Sequence, residues 1–253
     1  MALLSIIGCG MFEDEIAYIL SRDEDIERIY IMESPYSIGL IKKLKSAKVI
    51  SSEGDISKSG NYFVVVDILE LALHNDPKVL KEAVYEKVRE FSRFSDGILL
   101  FYGLCGSSLM YVERDLSQLC PLFILKDDSG EIVDDCIGAT LGGREAYFKA
   151  LKSFSGKGAF FLTPMWAANW KELLKKSRIT PNPDDLSRHK FIFKYIGYEY
   201  LVKLDNGLAN DEEFERNVRK FAEIFDLKVV EMKGSPKIAE NTYERAKNAI
   251  LKK

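Results

Sequence analysis

Short runs of branched and aromatic apolar residues alternate with helical patterns along this chain, and that alternation narrows the fold to a layered α/β architecture. Residues 3–7 and 62–67 read as strands buried on both faces, the second rich in valine. Residues 29–32, 97–102, 122–125 and 159–162 read as further strands. Helices are expected between them. One covers 12–20, with Phe12, Ile16, Ile19 and Leu20 sharing a face, and another runs through Ile38, Ile41 and Leu44. Asp76-Pro77 starts a third, with an acid at the N-cap and proline at the first helical position ahead of the stripe Leu80, Val84, Val88 and Phe91. A fourth is expected over 143–154, and the polar stretch 51–60 reads as a loop.

Beyond residue 163 the pattern turns toward helix. Over 184–202, Phe191, Tyr195, Tyr198 and Val202 recur at helical spacing, and Phe214, Val218, Phe221, Ala222 and Phe225 form a second stripe. A late strand is expected at 227–232 and a closing helix at 236–251. The expected fold is therefore α/β, a mainly parallel sheet with helices on both faces. It forms one domain over 1–253, divisible into two Rossmann-like lobes at 1–102 and 103–253 with a helix-rich C-terminal part.

Charge and cysteine usage bound the function. With 36 basic against 39 acidic residues, the chain carries no electrostatic footprint for DNA or RNA, so nucleic acid is disfavoured as a partner. The opening Met1-Ala2-Leu3-Leu4-Ser5-Ile6-Ile7 lacks a basic leader and reads as a buried strand. No apolar run approaches the roughly 18 residues of a membrane span, so a cytoplasmic protein without a membrane partner is expected. Four cysteines in 253 residues then read as reduced thiols or metal ligands rather than a disulfide framework.

Three of those cysteines fall where strands should end: Gly8-Cys9-Gly10, Gly103-Leu104-Cys105-Gly106 and Asp134-Asp135-Cys136. Strand carboxyl ends of an open α/β sheet lie along one edge, where ligands bind, so distant cysteines can meet there. Glycines on either side of Cys9 and Cys105 let the chain bend and a ligand approach, which makes Gly8, Gly10, Gly103 and Gly106 candidate cofactor-binding positions. Glu13, Asp14 and Glu15 would repel a pyrophosphate from the first helix, so a dinucleotide turn fits poorly; backbone N–H groups and the helix dipole would instead favour a Cys9 thiolate. Two carboxylates ahead of Cys136 would raise its pKa unless a cation sits between them.

Three thiolates with an open fourth position suit catalytic zinc or an iron–sulfur cluster, with Cys9, Cys105 and Cys136 as ligands and His74 as a candidate fourth. Asp135 and Glu15 are candidate carboxylates for orienting ligands or moving protons. Arg144 is placed to hold an anionic group, and Trp166, after Thr163-Pro164, to lay a ring against a flat ligand. The plainer alternatives are buried core thiols, a loop-bonded His74, an ordinary Arg144 ion pair and a Trp166 packed under its loop. Cys120, before Pro121, reads as structural, and His189 as solvated helix surface.

These residues together resemble a domain-of-unknown-function family, number 1638, of methanogenic archaea and anaerobic bacteria. The resemblance runs over residues 9–207 on Cys9-Gly10 with Glu15, Leu73-His74-Asn75, Tyr102-Gly103-Leu104-Cys105-Gly106, Asp135-Cys136-Ile137, Leu141-Gly142 with Arg144 and Tyr147, Leu162-Thr163-Pro164 with Trp166, and Asp205-Asn206-Gly207-Leu208. It implies a place beside corrinoid-dependent methyl transfer, with a corrinoid protein or methyltransferase as partner and a small-molecule substrate. Three readings remain open: a metal protein acting in methyl transfer or one-carbon metabolism, a non-enzymatic carrier or accessory partner of a corrinoid system, and a metal-free enzyme binding a nucleotide or small molecule.

Overall fold

The computed structural model describes residues 2–57, 60–177, 179, 180, 182, 184–208 and 211–252. Met1 of the expected opening strand, and Lys58 and Ser59 of the expected polar loop, lie outside the described residues.

Along the chain the elements are β1 (Ala2–Cys9), α1 (Glu13–Arg22), β2 (Arg28–Met32), α2 (Ile38–Lys43), β3 (Lys48–Ile50), β4 (Tyr62–Leu69), α3 (Pro77–Phe91), β5 (Gly97–Phe101), α4 (Val112–Leu116) and β6 (Leu122–Ile124). There follow α5 (Cys136–Leu141), α6 (Arg144–Lys152), β7 (Gly158–Leu162), α7 (Pro164–Lys176), α8 (Leu186–Ile196), β8 (Tyr198–Asp205), α9 (Asp211–Phe225), β9 (Lys228–Lys233) and α10 (Lys237–Leu251).

Six strands form one parallel sheet in the order β3-β2-β4-β1-β5-β6, and three form a second parallel sheet, β7-β8-β9. The α/β class and parallel pairing agree with the strand–helix alternation. The two central strands of the large sheet, β1 and β4, are buried along their whole length, which explains why they are apolar but for Ser5 and Asp67. α3 lays Leu80, Val84, Val88 and Phe91 into this core, and the Asp76 carboxylate caps its start by accepting from the N–H groups of Lys78 and Val79 at 3.0 and 3.3 Å.

The division between sheets differs from the expected break after Tyr102. β6 pairs with β5 and α10 returns from the far end of the chain to cover β1, β5 and β6, so the first unit takes up residues on both sides of the second. A cut after Tyr102 would remove an edge strand and a covering helix from the larger core.

Two other expectations change. Residues 184–202 are not one helix: α8 ends at Gly197, whose φ of 91° is a left-handed cap, and Tyr198 opens β8. The three- and four-residue spacing of Phe191, Tyr195, Tyr198 and Val202 across that junction mimicked a helix, while Tyr-Glu-Tyr-Leu-Val supplies a strand. β3, only three residues long, sits where the sequence offered no strand signal, and the following polar stretch holds a short helical turn at Glu53–Asp55. Among the described residues no helix is long and apolar enough to cross a membrane.

Candidate functional site

The carboxyl ends of β1, β4 and β5 lie side by side, with Cys9 in register with Leu69 and Gly8 with Phe101. Chain leaving these three strands carries Cys9, the turn bearing His74, and the Tyr102–Gly106 segment to one edge. Cys136 reaches the same edge through backbone pairing: the N–H groups of Leu104 and Cys105 donate to the carbonyls of Val133 and Asp134, each at 2.8 Å. Gly103 makes that approach possible, because a Cβ there would stand 2.5 Å from the Val133 carbonyl oxygen. Cys105 itself sits at φ 45°, a left-handed conformation that costs an ordinary side chain about 1 kcal/mol or more and is held here by this pairing.

Cys9, Cys105 and Cys136 all line one cavity of about 280 Å³. They are free thiols. His74, Tyr102, Gly106 and Asp135 complete this wall from the large sheet. The rest of the lining comes mainly from the second sheet and the helices around it: Tyr147 and Phe161, which pack with Cys136, and Phe160 and Tyr198 on the other face of β7, with Trp166 packed against both groups. Trp166 is set in place by the Thr163 hydroxyl, which caps α7 by accepting from the Trp166 N–H at 3.3 Å.

Burial decides the electrostatics of the sulfur wall. It pushes the Cys9 thiol up to about 11, against a lowering bond from the Met11 N–H, and the Cys105 thiol up to about 12. Cys136 is raised well above the ordinary thiol value, by burial first and then by the negative charge of Asp135 and of the other two sulfurs. The thiolate expected at Cys9 from the adjacent helix is therefore not favoured in the protein alone: desolvation outweighs the backbone donor. Among the described residues no three histidine, cysteine or acidic side chains are grouped so that they could hold a metal ion as they lie.

Asp135 caps α5, its Oδ1 accepting from the Gly138 N–H at 2.8 Å. Burial raises its pKa, while that N–H and the neighbouring His74 oppose the rise. His74 stands at the rim, exposed overall, yet crowding of the imidazole lowers its pKa. The Tyr102 hydroxyl is buried and has no hydrogen-bond partner. An orphan hydroxyl in a cavity wall marks a place for a ligand atom or water.

The other candidates lie elsewhere. Glu15 does not line the cavity; its Oε1 accepts from Asn206 Nδ2 at 2.8 Å, joining α1 to the end of β8, and Oε2 is buried without a partner. Burial raises its pKa to about 7. Arg144 is exposed and pairs with Asp134 at 3.0 Å, beside a shallow outer depression, so the ordinary ion pair is what forms. Gly8 and Gly10 pack against Ile16 and Leu71, and Gly103 serves the backbone pairing, so of the four glycines Gly106 alone lines the cavity. Cys120 is core, as expected. His189 is fully buried, not solvated, with Nδ1 3.1 Å from the Asp185 carbonyl, because α8 turns that side chain inward beside Phe193.

Sequence reasoning missed most of the aromatic wall. Tyr102 and Tyr147 were among the residues carrying the family resemblance without a role, and Tyr198 was hidden in the supposed helical stripe.

The pattern of a family described as "Protein of unknown function (DUF1638)" matches residues 68–243. The chain belongs to this family. The match takes in His74, Tyr102, Cys105, Asp135, Cys136, Tyr147, Trp166 and Tyr198, and begins after Cys9 and Glu15. No curated protein matches the chain.

Proposed function

We propose that this cavity is a metal centre in which Cys9, Cys105 and Cys136 hold an iron–sulfur cluster or a zinc ion, leaving one position open to activate a small substrate. The observation that carries this reading is that Cys9, Cys105 and Cys136, far apart in the chain, all line one cavity. Among the described residues these thiols are not grouped to hold an ion as they lie, so binding would draw the sulfurs together. Bound metal would supply Lewis-acid or redox chemistry. Cation binding would displace the thiol protons, and the repulsion among the sulfurs and Asp135 would turn into attraction for the cation.

Around that centre the chain's own groups have distinct tasks. His74, poised neutral at the rim, is a fourth ligand or a proton carrier, and Asp135 orients it while capping α5. The Tyr102 hydroxyl offers a hydrogen bond to a bound oxygen or nitrogen atom. The family resemblance extends this to one-carbon or methyl transfer beside a corrinoid protein.

Anaerobic purification with iron, zinc and sulfide analysis tests the reading. Metal is expected in the wild type and in Cys120→Ala, and is expected to be lost from Cys9→Ser, Cys105→Ser and Cys136→Ser. Equal metal content in all five proteins would remove it.

One observation favours a second reading. The thiols are strongly held in the neutral form, which suits a metal-free cavity for a small molecule. Arg144 would take no part in such a site, since it stands outside the cavity.

A further inference from the structure

α8 turns one face into the core of the small sheet and the opposite face to solvent. His189 and Phe193 are its buried residues, and Phe193 fixes the helix by packing on Phe160, Phe221 and Phe225, with ring centroids 5.1, 5.9 and 4.6 Å away. Phe191 and Tyr195 point away from that core: they are 68% and 83% exposed, and Ile196 beside them is 60% exposed. One turn apart on the helix, the two rings stack on each other with centroids 6.2 Å apart and planes at 18°. Apolar residues exposed singly are ordinary on a protein surface, but a ridge of them on one helix marks a contact with something apolar.

Charge narrows what that contact is. Between Leu186 and Ile196 the helix carries Arg188, Lys190 and Lys194 and no acid, in a chain whose net charge is -3. Arg188 is engaged by Asp185 at 3.2 Å, whereas Lys190 and Lys194 are exposed and have no ion-pair partner among the described residues. Each lysine precedes a ring of the ridge by one residue, so the two ammonium groups run in a row along its flank. The same helix of a second copy would set lysine against lysine, and Tyr195 stands out from the surface rather than lining a groove. An anionic bilayer meets both requirements. Aromatic rings settle at the level of the headgroups, and lysine stems lie along the apolar boundary with their ammonium groups on the phosphates. Lying on a bilayer needs no spanning run.

We propose that α8 docks the protein on an anionic lipid surface, with Phe191, Tyr195 and Ile196 at the boundary between headgroups and acyl chains and Lys190 and Lys194 on lipid phosphates. The helix is already folded and anchored through Phe193, so the ridge is formed before contact and binding carries no cost of ordering it. This surface stands independently of the cavity and of any metal held there.

Co-sedimentation of the full-length protein with lipid vesicles tests this. At low ionic strength, vesicles containing phosphatidylglycerol are expected to bind it at least about tenfold more tightly than pure phosphatidylcholine, and to release it at high salt. Lys190→Gln combined with Lys194→Gln is expected to weaken that binding about 30-fold, the product of two lysine contributions at the surface. Tyr195→Trp places a reporter in the ridge, whose fluorescence is expected to move to shorter wavelength on the anionic vesicles and to stay unchanged on phosphatidylcholine. Far-ultraviolet circular dichroism confirms that each variant folds. No binding to anionic vesicles by the folded wild type, equal binding to both lipids, or undiminished binding by the lysine double variant overturns the proposal. Adsorption without a wavelength shift in Tyr195→Trp, matched by equal retention on heparin, assigns the lysines to polyanions in general and overturns it as well.

Discussion

The two sheets solve the problem of holding a cavity wall in opposite ways. The six-stranded sheet carries Cys9 on β1 and sets Cys105 just beyond β5, around a core where β1 and β4 are buried on both faces and their aliphatic side chains fill the space between two helical layers. The three-stranded sheet is thin and wet by comparison: β9 is exposed at alternate positions, and the core on one side rests on Phe193, Phe214, Phe221, Phe225 and Trp170. The first wall is rigid because a strand cannot move without its neighbours. The second is rigid because rings lock one another. A mutation in either sheet should therefore read out in a different property, and five substitutions can break or sharpen that contrast.

Phe221→Ala is expected to have the largest effect. Phe221 is fully buried and touches Phe160, Trp170, Phe193 and Phe225, so its loss removes the shared member of the ring row. A cost of about 3–5 kcal/mol in unfolding free energy is expected for such a truncation. Metal content should stay at the wild-type level if the sulfur wall is independent, and chemical denaturation with metal analysis checks both. Loss of metal together with stability would show that the two walls stand or fall as one.

Glu15→Gln probes the tie between them. The carboxyl of Glu15 is raised from 4.5 to about 7 by burial, against the lowering bond from Asn206. A carboxyl whose folded pKa lies above its unfolded one binds more protons in the folded state, so stability falls as pH rises from about 4.5 to about 7 and is level above that. The loss across this window is on the order of 3 kcal/mol. Glutamine keeps an oxygen for Asn206 and carries no charge, so the variant should flatten this slope and exceed the wild type in stability at pH 8. Urea unfolding at pH 5, 6, 7 and 8 measures it; parallel curves for the two proteins would mean that Glu15 ionises without cost.

Gly103→Ala tests the first wall alone. The added methyl would press on the Val133 carbonyl and Asp135 N–H, backbone atoms that cannot rotate away. Overpacking of this kind costs about 1–3 kcal/mol. Since the displaced pairing carries both Cys105 and the segment before Cys136, metal occupancy should fall along with thermal stability, unlike the outcome for Phe221→Ala.

How much of this contrast the sequence disclosed follows from the same physics. The large sheet was legible because parallel strands buried on both faces demand continuous apolar runs, and Asp76-Pro77 and its Leu80, Val84, Val88, Phe91 stripe announce a helix locally. Cys9 and Cys105 could be placed together because β1 and β5 end at one edge, whereas Cys136, expected at a strand end, opens α5 and reaches the cavity through the pairing of Leu104 and Cys105 with Val133 and Asp134. The second sheet was obscured where Phe191, Tyr195, Tyr198 and Val202 kept a helical period across the α8–β8 junction; only Gly197 marked the break. Thiol protonation was also illegible, since a helix start predicts a lowered pKa and only burial, a property of the whole fold, reverses it. Arg144 looked like an anion ligand because its partner Asp134 lies ten residues back, across a turn that no local pattern encodes.

The smallest effect comes from two helix starts of the same design. Asp76-Pro77 opens α3 on the large sheet and Thr163-Pro164 opens α7 beside the small one, each with an oxygen at the N-cap and proline next. Asp76→Ala and Thr163→Ala should each cost about 1 kcal/mol, the usual value of a lost cap. Their consequences for the cavity should differ. The Asp76 carboxylate is bonded to Lys78 and Val79, on the exposed start of a helix whose buried stripe is held by the sheet beneath it. The Thr163 hydroxyl is bonded to the backbone of Trp166 itself. Tryptophan fluorescence, from Trp166 and Trp170 only, should therefore shift in Thr163→Ala and not in Asp76→Ala at equal loss of stability. An unchanged spectrum in both would mean that Trp166 is held by Phe160 and not by its cap, and would place the rigidity of the aromatic wall entirely in the contacts between rings.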